Sequence, residues 1–378
     1  PLAITGLGLV APGADDVDAF WQNVLQRVES IGDLPASRWD VDSFIGASEE
    51  LGAILKTRLA APVKLPEPDP ARFRLSPAAL GEVDPAVLLS MVSAEQAIED
   101  AGGVEGWSRS RVAVTAGQLS LRWAEAELEK RALFAGHVAL VAQAMRESDF
   151  DEAQVQAVVG AARAAFSGPR YGGHALGART SLECAAHVAR FWGLTGPVLS
   201  VDAACAFNLL PEYYIVLSIL GALSPRGAPP FHLGADGFVP GEGAAAVVLE
   251  RLSDAQARGA RVHAVIRGIG VSSDGAGLSI FAPNSEGEQR AIRRALALGG
   301  WSPREVDLVE AHGTGTRLGD ETEIHSYAAT YGDRDPTTPL TVGTVKSQVG
   351  HLSSAAGMVG IVKTALAVRE GVLPPTLG

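Results

Sequence analysis

Short apolar runs alternate with longer Ala-, Leu-, Glu- and Arg-rich stretches along this chain. Leu2–Thr5, Arg111–Thr115, Val198–Val201, Ala244–Leu249, Val262–Ile266, Leu308–Glu310 and Leu340–Val342 read as strands buried on both faces. Asp18–Gln26, Ala86–Ala101, Val138–Met145, Glu286–Leu298 and Ala355–Arg369 read as helices. Strands alternating with helices predict parallel pairing and an α/β architecture. Residues 46–80 hold many Pro and Leu without a period, which predicts a loop or an excursion over the surface.

The two ends of the pattern are alike. Leu2-Ala3-Ile4-Thr5-Gly6-Leu7-Gly8 resembles Ala264-Val265-Ile266-Arg267-Gly268-Ile269-Gly270. Leu199–Cys205 and Leu340–Lys346 each run from a strand toward a reactive residue. Two duplicated halves meeting near residue 255 would explain this, although a match so short also fits coincidence. Gly6-Leu7-Gly8 sits close to a dinucleotide-binding fingerprint, but Pro12-Gly13 follows where a helix should begin. A tight turn after the first strand is the better reading.

Bulk properties narrow the classes. A length of 378 residues fits two fused domains or one large duplicated one. The net charge of −12 argues against nucleic acid or an anionic membrane as partner, yet leaves room for a local basic patch facing an acidic carrier protein. Cys184 and Cys205 are the two cysteines, too few for a disulfide scaffold, and they fit a reducing, cytoplasmic compartment. The chain opens Pro1-Leu2-Ala3 without a basic leader or an initiator Met, which predicts a piece of a longer polypeptide. Tyr213–Leu223 is too short to span a bilayer.

Three motifs carry chemistry. Cys205 follows an apolar strand and is expected at a strand-to-helix junction, where outward N–H groups would lower its thiol pKa. A free Cys is as often a small buried hydrophobe, and position alone leaves both readings open. Cys184 lacks such a setting and reads as structural. Glu310-Ala311-His312-Gly313-Thr314-Gly315-Thr316 places a His at a strand end before a Gly/Thr turn, with Asp320 and Glu323 downstream. Lys346-Ser347-Gln348-Val349-Gly350-His351 puts a second His where a helix begins. A zinc site is the competing use of Cys and His, but the spacing holds neither a Cys-x-x-Cys nor a His-Glu-x-x-His, so no metal is expected.

Val201–Cys205, Glu310–Thr316 and Lys346–His351, in this order, resemble the β-ketoacyl synthases, condensing enzymes of fatty-acid and polyketide assembly. Arg38-Trp39-Asp40, Gly193–Pro197, Ala235–Phe238, Gly241-Glu242-Gly243 and Leu373–Leu377 are similar to that family too. The Arg-Trp-Asp signature resembles a ketosynthase of a multidomain type I polyketide synthase.

The resemblance implies a thiolase-like fold of two duplicated halves, 1–255 and 256–378, with layered sheets and buried helices, usually as a homodimer. It implies Cys205 as nucleophile, His312 and His351 as the pair that assists decarboxylation, and Lys346 as a positioning cation paired with Asp320 or Glu323. Thr314 and Thr316 would support the turn. Substrates would ride on the phosphopantetheine of an acyl carrier protein, with no cofactor.

Departures from the family's pattern set further expectations. Phe207 after Cys205 is expected to narrow an acyl pocket, and Pro211 to disturb the following helix. A family strand is expected but missing between Tyr213 and Gly237, and closing strands with a Gly-Phe-Gly-Gly turn are missing after Gly378. Those departures keep open a catalytically impaired, ketosynthase-like partner. A thiolase remains the third reading, disfavoured because there is no late Cys.

Overall fold

The computed structural model describes residues 1–42, 44–45, 55–81, 83–118, 123–165, 182–275 and 282–378. The first apolar run becomes β1 (Leu2–Val10), buried from Ala3 to its end. It continues through Gly6 and Gly8, and the expected tight turn follows it at Ala11–Ala14, where Ala11 and Ala14 exchange backbone hydrogen bonds of 2.9 Å and Gly13 takes φ of +74°. The glycines serve a different need. A Cβ on Gly8 would meet the Ser93 carbonyl oxygen at 1.9 Å, and one on Gly6 would meet that of Ala97 at 2.0 Å. Only bare backbone lets the strand lie directly on its covering helix.

The labelled helices are α1 (Val17–Leu25), α2 (Pro85–Asp100), α3 (Trp123–Glu147), α4 (Glu152–Ala165), α5 (Leu182–Trp192), α6 (Pro211–Ile219), α7 (Ser285–Gly299), α8 (Arg317–Tyr331) and α9 (Ala356–Glu370). Short helical turns at Pro70–Phe73, Pro77–Leu80 and Lys346–Val349 lie between them. α2 begins where Asp84 accepts the Ala86 N–H at 2.9 Å with Pro85 in the first turn. It is apolar almost all round because β1 and β6 cover one side and α5 another. Pro211 opens α6 rather than disturbing a helix, since its missing N–H would be unpaired there anyway.

The strands are β1, β2 (Gly32–Asp33), β3 (Leu59–Ala60), β4 (Val114–Gln118), β5 (Val198–Ala206), β6 (Gly243–Arg251), β7 (Ala264–Ile266), β8 (Leu308–Glu310) and β9 (Thr341–Gly343). Five form one sheet in the order β4-β5-β6-β1-β7. The expectation of parallel pairing is corrected here. β1 runs antiparallel to β6 and β7, and β5 antiparallel to β6, while the parallel pairs are β4 with β5 and β8 with β9. Burial on both faces made these strands read as parallel, but here α2 and α9 cover the two faces of a mixed sheet.

The likeness between the two ends has a structural counterpart. On Gly268 and Gly270 an added Cβ would meet the Ala295 and Ala291 carbonyl oxygens of α7 at 2.1 and 1.8 Å. A Gly-x-Gly segment lying on a helix occurs in both places, within β1 and just after β7. Residues 46–54 of the expected excursion lie outside the described residues. Beyond them Leu55, Ala60, Ala61 and Val63 are buried, so that part belongs to the core rather than the surface.

Candidate active site

His312 lies one residue beyond the end of β8, and the turn after it is shaped by Glu323 from α8. One Glu323 oxygen accepts the His312 N–H at 2.6 Å and the other accepts the Gly313 N–H at 2.7 Å. The Tyr327 hydroxyl donates to the same carboxylate at 2.5 Å. Gly313 needs φ of +43°, and a Cβ there would press on Phe231 and Thr344 at 2.9 Å. Asp320 accepts the Phe231 and Gly315 N–H groups at 2.6 and 3.1 Å. Thr314 and Thr316 share a hydroxyl contact of 3.1 Å at the start of α8. All four are scaffolding of the turn.

His351 meets His312 edge to face, with ring centroids 5.5 Å apart and planes at 88°. Its Nδ1 accepts the Ser353 N–H at 3.1 Å, which places the ring proton on Nε2. Ser353 holds φ of +46° to make that bond, and its hydroxyl is tied to Asn208 and Tyr213. Burial, then Lys346, pushes both imidazoles below their ordinary pKa, His351 far below. A cavity of about 400 Å³ opens beside them, lined by His351, Lys346, Thr314, Phe238, Leu377 and Gly378 among others.

Lys346 is only 7% exposed. Its expected pairing with Asp320 or Glu323 is corrected: its ammonium donates to the His312 carbonyl at 2.7 Å. Both acids spend their oxygens on backbone N–H groups instead. Burial lowers the Lys346 pKa, opposed chiefly by Glu310. Glu310 is itself only partly exposed, paired with the buried Lys363 at 2.7 Å, and takes the Val345 N–H at 2.6 Å. Reading the sequence missed this pair and Ser353. The signal was a lysine inside the apolar run of α9 and a Ser-Ser step after the second His.

Cys205 stands apart. It lies inside β5, paired with Gln118 of β4 and Ala244 of β6, and an extended segment rather than a helix follows it. Its thiol is fully buried and donates to the Ala86 carbonyl at 3.2 Å on the α2 side. Burial, then Cys184, pushes its pKa well up, the reverse of the expected lowering. Asp84 and Glu242 are its other charged neighbours, and neither His is among its described ones. Strand side chains alternate between faces, so Ala206 takes the opposite side, among Val349, Leu352 and Ala355 next to His351. The backbone is nevertheless close: Ser354 donates to the Cys205 carbonyl at 2.5 Å.

Phe207, expected in an acyl pocket, packs in the core with Cys205 under the Arg38 guanidinium at 4.4 Å, and is not among the described lining of the His351 cavity. Arg38 also bonds Glu242 at 2.7 Å. Burial outweighs that contact and pushes the Glu242 carboxyl up to about 7. Among the described residues no group of three or more His, Cys, Asp or Glu is placed to hold a metal, and no helix is long and apolar enough to cross a membrane.

This fold and these motifs have relatives. The profile described as beta-ketoacyl synthase, N-terminal domain, matches residues 1–209 and 206–255, and the C-terminal domain profile matches 263–378. The chain therefore belongs to the β-ketoacyl synthase family, whose solved members here are ketosynthase domains with the thiolase-like fold. Polyketide synthase GfsA of Streptomyces halstedii is 33% identical over 410 residues, covering 100% of this chain and 5% of that protein. The ketosynthase from module 6 of the bacillaene synthase of Bacillus subtilis 168 superposes with a TM-score of 0.77 at 25% identity, covering 100% of this chain and 62% of that one. The oxazolomycin ketosynthase domain OzmH KS7 of Streptomyces albus JA3453 gives 0.79 at 26% identity, covering 100% and 64%. The chain thus spans a small part of its multidomain relatives and under two thirds of those solved ketosynthase chains.

Proposed function

We propose that this chain performs the decarboxylative Claisen condensation of polyketide assembly, as an acyltransferase-type ketosynthase within a multidomain synthase. The observation that carries the reading is the perpendicular pair of imidazoles, His312 exposed and His351 half-buried, beside the buried Lys346. The Cys205 thiolate attacks a carrier-bound acyl thioester and releases the phosphopantetheine thiol. A malonyl-type thioester enters on a second acyl carrier protein. His351 Nε2–H and His312 donate to its carbonyl oxygen, carbon dioxide leaves, and the enolate charge rests on those donors. The enolate carbon attacks the acyl carbonyl, the C–S bond breaks, and Cys205 recovers its sulfur charge. No cofactor is required. The chain works as two halves, 1–255 and 256–378, in a cytoplasmic homodimer.

One observation favours a second reading, a ketosynthase-like partner impaired in condensation. The Cys205 thiol faces α2, while Ala206 occupies the side toward His351. A strand register shifted by one residue would exchange them. One assay separates the readings: carbon dioxide release and β-ketoacyl product are followed with malonyl and acyl carrier substrates. Product lost in Cys205→Ala and in His351→Ala supports condensation. Carbon dioxide without product from the unaltered chain supports the partner. Neither carbon dioxide nor product would defeat the proposal.

A further inference from the structure

His351 is held at its backbone and, separately, at its ring. Its N–H donates to the Val239 carbonyl at 2.7 Å, and its own carbonyl accepts the Gly241 N–H at 2.9 Å. Those bonds fix the main chain and leave the ring its side-chain torsions. Phe238 and His312 meet the ring edge to face, with centroids at 4.9 and 5.5 Å, and Lys346 is the cation beside it. The ring proton is placed by a different contact. The Ser353 N–H donates to Nδ1 at 3.1 Å, which leaves the proton on Nε2.

That N–H reaches Nδ1 from a Ser353 at φ of +46°. A residue with a Cβ enters this region at a cost and stays only where its surroundings over-determine it. Here the hydroxyl supplies the hold. Asn208 donates to Ser353 Oγ at 3.1 Å, and the Tyr213 hydroxyl shares a 2.7 Å contact with the same atom. A serine hydroxyl has one proton and two acceptor positions, so it serves both partners at once. Asn208 is 1% exposed and Tyr213 8%, so water competes poorly for either bond. Tyr213 is itself well anchored, in the first turn of α6 that Pro211 opens. The tie runs from α6, through one hydroxyl, to the imidazole.

We propose that Tyr213 is a positioning residue for His351, an inference that rests on the condensing function proposed above. Its hydroxyl keeps Ser353 in the left-handed region, the Ser353 N–H keeps Nδ1 an acceptor, and Nε2–H stays available to the thioester carbonyl. Without that hold Ser353 relaxes to negative φ and its N–H leaves Nδ1. The ring proton is then free to sit on Nδ1, and Nε2 presents a lone pair where the enolate oxygen needs a donor.

The test uses the full chain with isotopically labelled histidine ring nitrogens, read by magnetic resonance. The His351 signals are those lost in His351→Gln. Nδ1 should resonate as an acceptor and Nε2 as an N–H. Tyr213→Phe keeps the ring, removes the hydroxyl, and should shift His351 toward the opposite tautomer. Ser353→Ala should do the same, because alanine resists positive φ, whereas Ser353→Gly should keep the original pattern, because glycine adopts it freely. A packing role alone predicts the reverse order, glycine disturbing the ring more than alanine. If Tyr213→Phe fails to fold, the two Ser353 variants decide. With a malonyl carrier substrate, Tyr213→Phe should also lower kcat for carbon dioxide release about tenfold or more at unchanged KM. An unchanged tautomer in Tyr213→Phe or Ser353→Ala, or a lost one in Ser353→Gly, would overturn the positioning role. An unaltered chain that releases no carbon dioxide would overturn the condensing function instead, and the tautomer measurement would then decide the role of Tyr213 by itself.

Discussion

Charge that sits in the core without full compensation governs the chemistry of single residues here. Glu242 is the clearest case, 1% exposed with a carboxyl pushed up to about 7 from an ordinary 4.5. A carboxyl with a raised folded-state pKa adds stability that is complete below pH 4.5 and is lost as pH rises through 7. Urea unfolding at pH 4.5 and at pH 8 should show that loss, on the order of 2–3 kcal/mol, and Glu242→Gln should flatten it. An equally steep profile in the variant would remove Glu242 from the explanation. Cys205 obeys the same rule. Its thiol is buried and its pKa raised, so iodoacetamide at pH 8 should modify Cys205 slowly in the folded chain, at the rate at which the thiol becomes exposed, and rapidly on unfolding. Mass spectrometry of the peptide reads this directly. Rapid native-state labelling would place the thiol in solvent and support the condensing reading over the impaired one.

Elements place these residues, and close backbone approach does much of the placing. The turn after β8 exists because Gly313 carries no Cβ and Glu323 accepts two successive N–H groups. Gly313→Ala should cost about 1–3 kcal/mol through backbone strain and contact with Phe231 and Thr344. Gly136 in α3 has open space around it, so Gly136→Ala should instead stabilise by about 0.5–1 kcal/mol. Denaturant midpoints of the two variants should therefore move in opposite directions, and a shared direction would contradict the geometric account. Helix positions and most strand positions were legible in the pattern, because α2 and α9 are apolar runs bounded by caps and turns. The close approach that Gly6 and Gly8 permit was not legible in the sequence, because the helix they admit begins more than seventy residues later.

At the scale of the molecule, β1 is paired with β6 along most of its length and with β7 over Leu2–Ile4, while among the described residues a gap of about 400 Å³ lies between β4 and residues 245–249 of β6. Amide exchange should follow that difference, slowest at Ala3–Ile4, where β6 and β7 both pair with β1, and faster at Ala245–Leu249, which border the gap. Equal protection of the two segments would mean the gap closes in solution.

The sequence alone determined the family and the order of its motifs, because those reside in local runs such as Glu310–Thr316 and Lys346–His351. Only the tertiary structure decided strand directions, the partner of Lys346, and the side of the sheet on which each side chain stands. A strand alternates its faces with a period of two, so one residue of register separates Cys205 among the core side chains of α2 from Ala206 beside His351. Register is set by the neighbours along the whole strand, and no local motif encodes it.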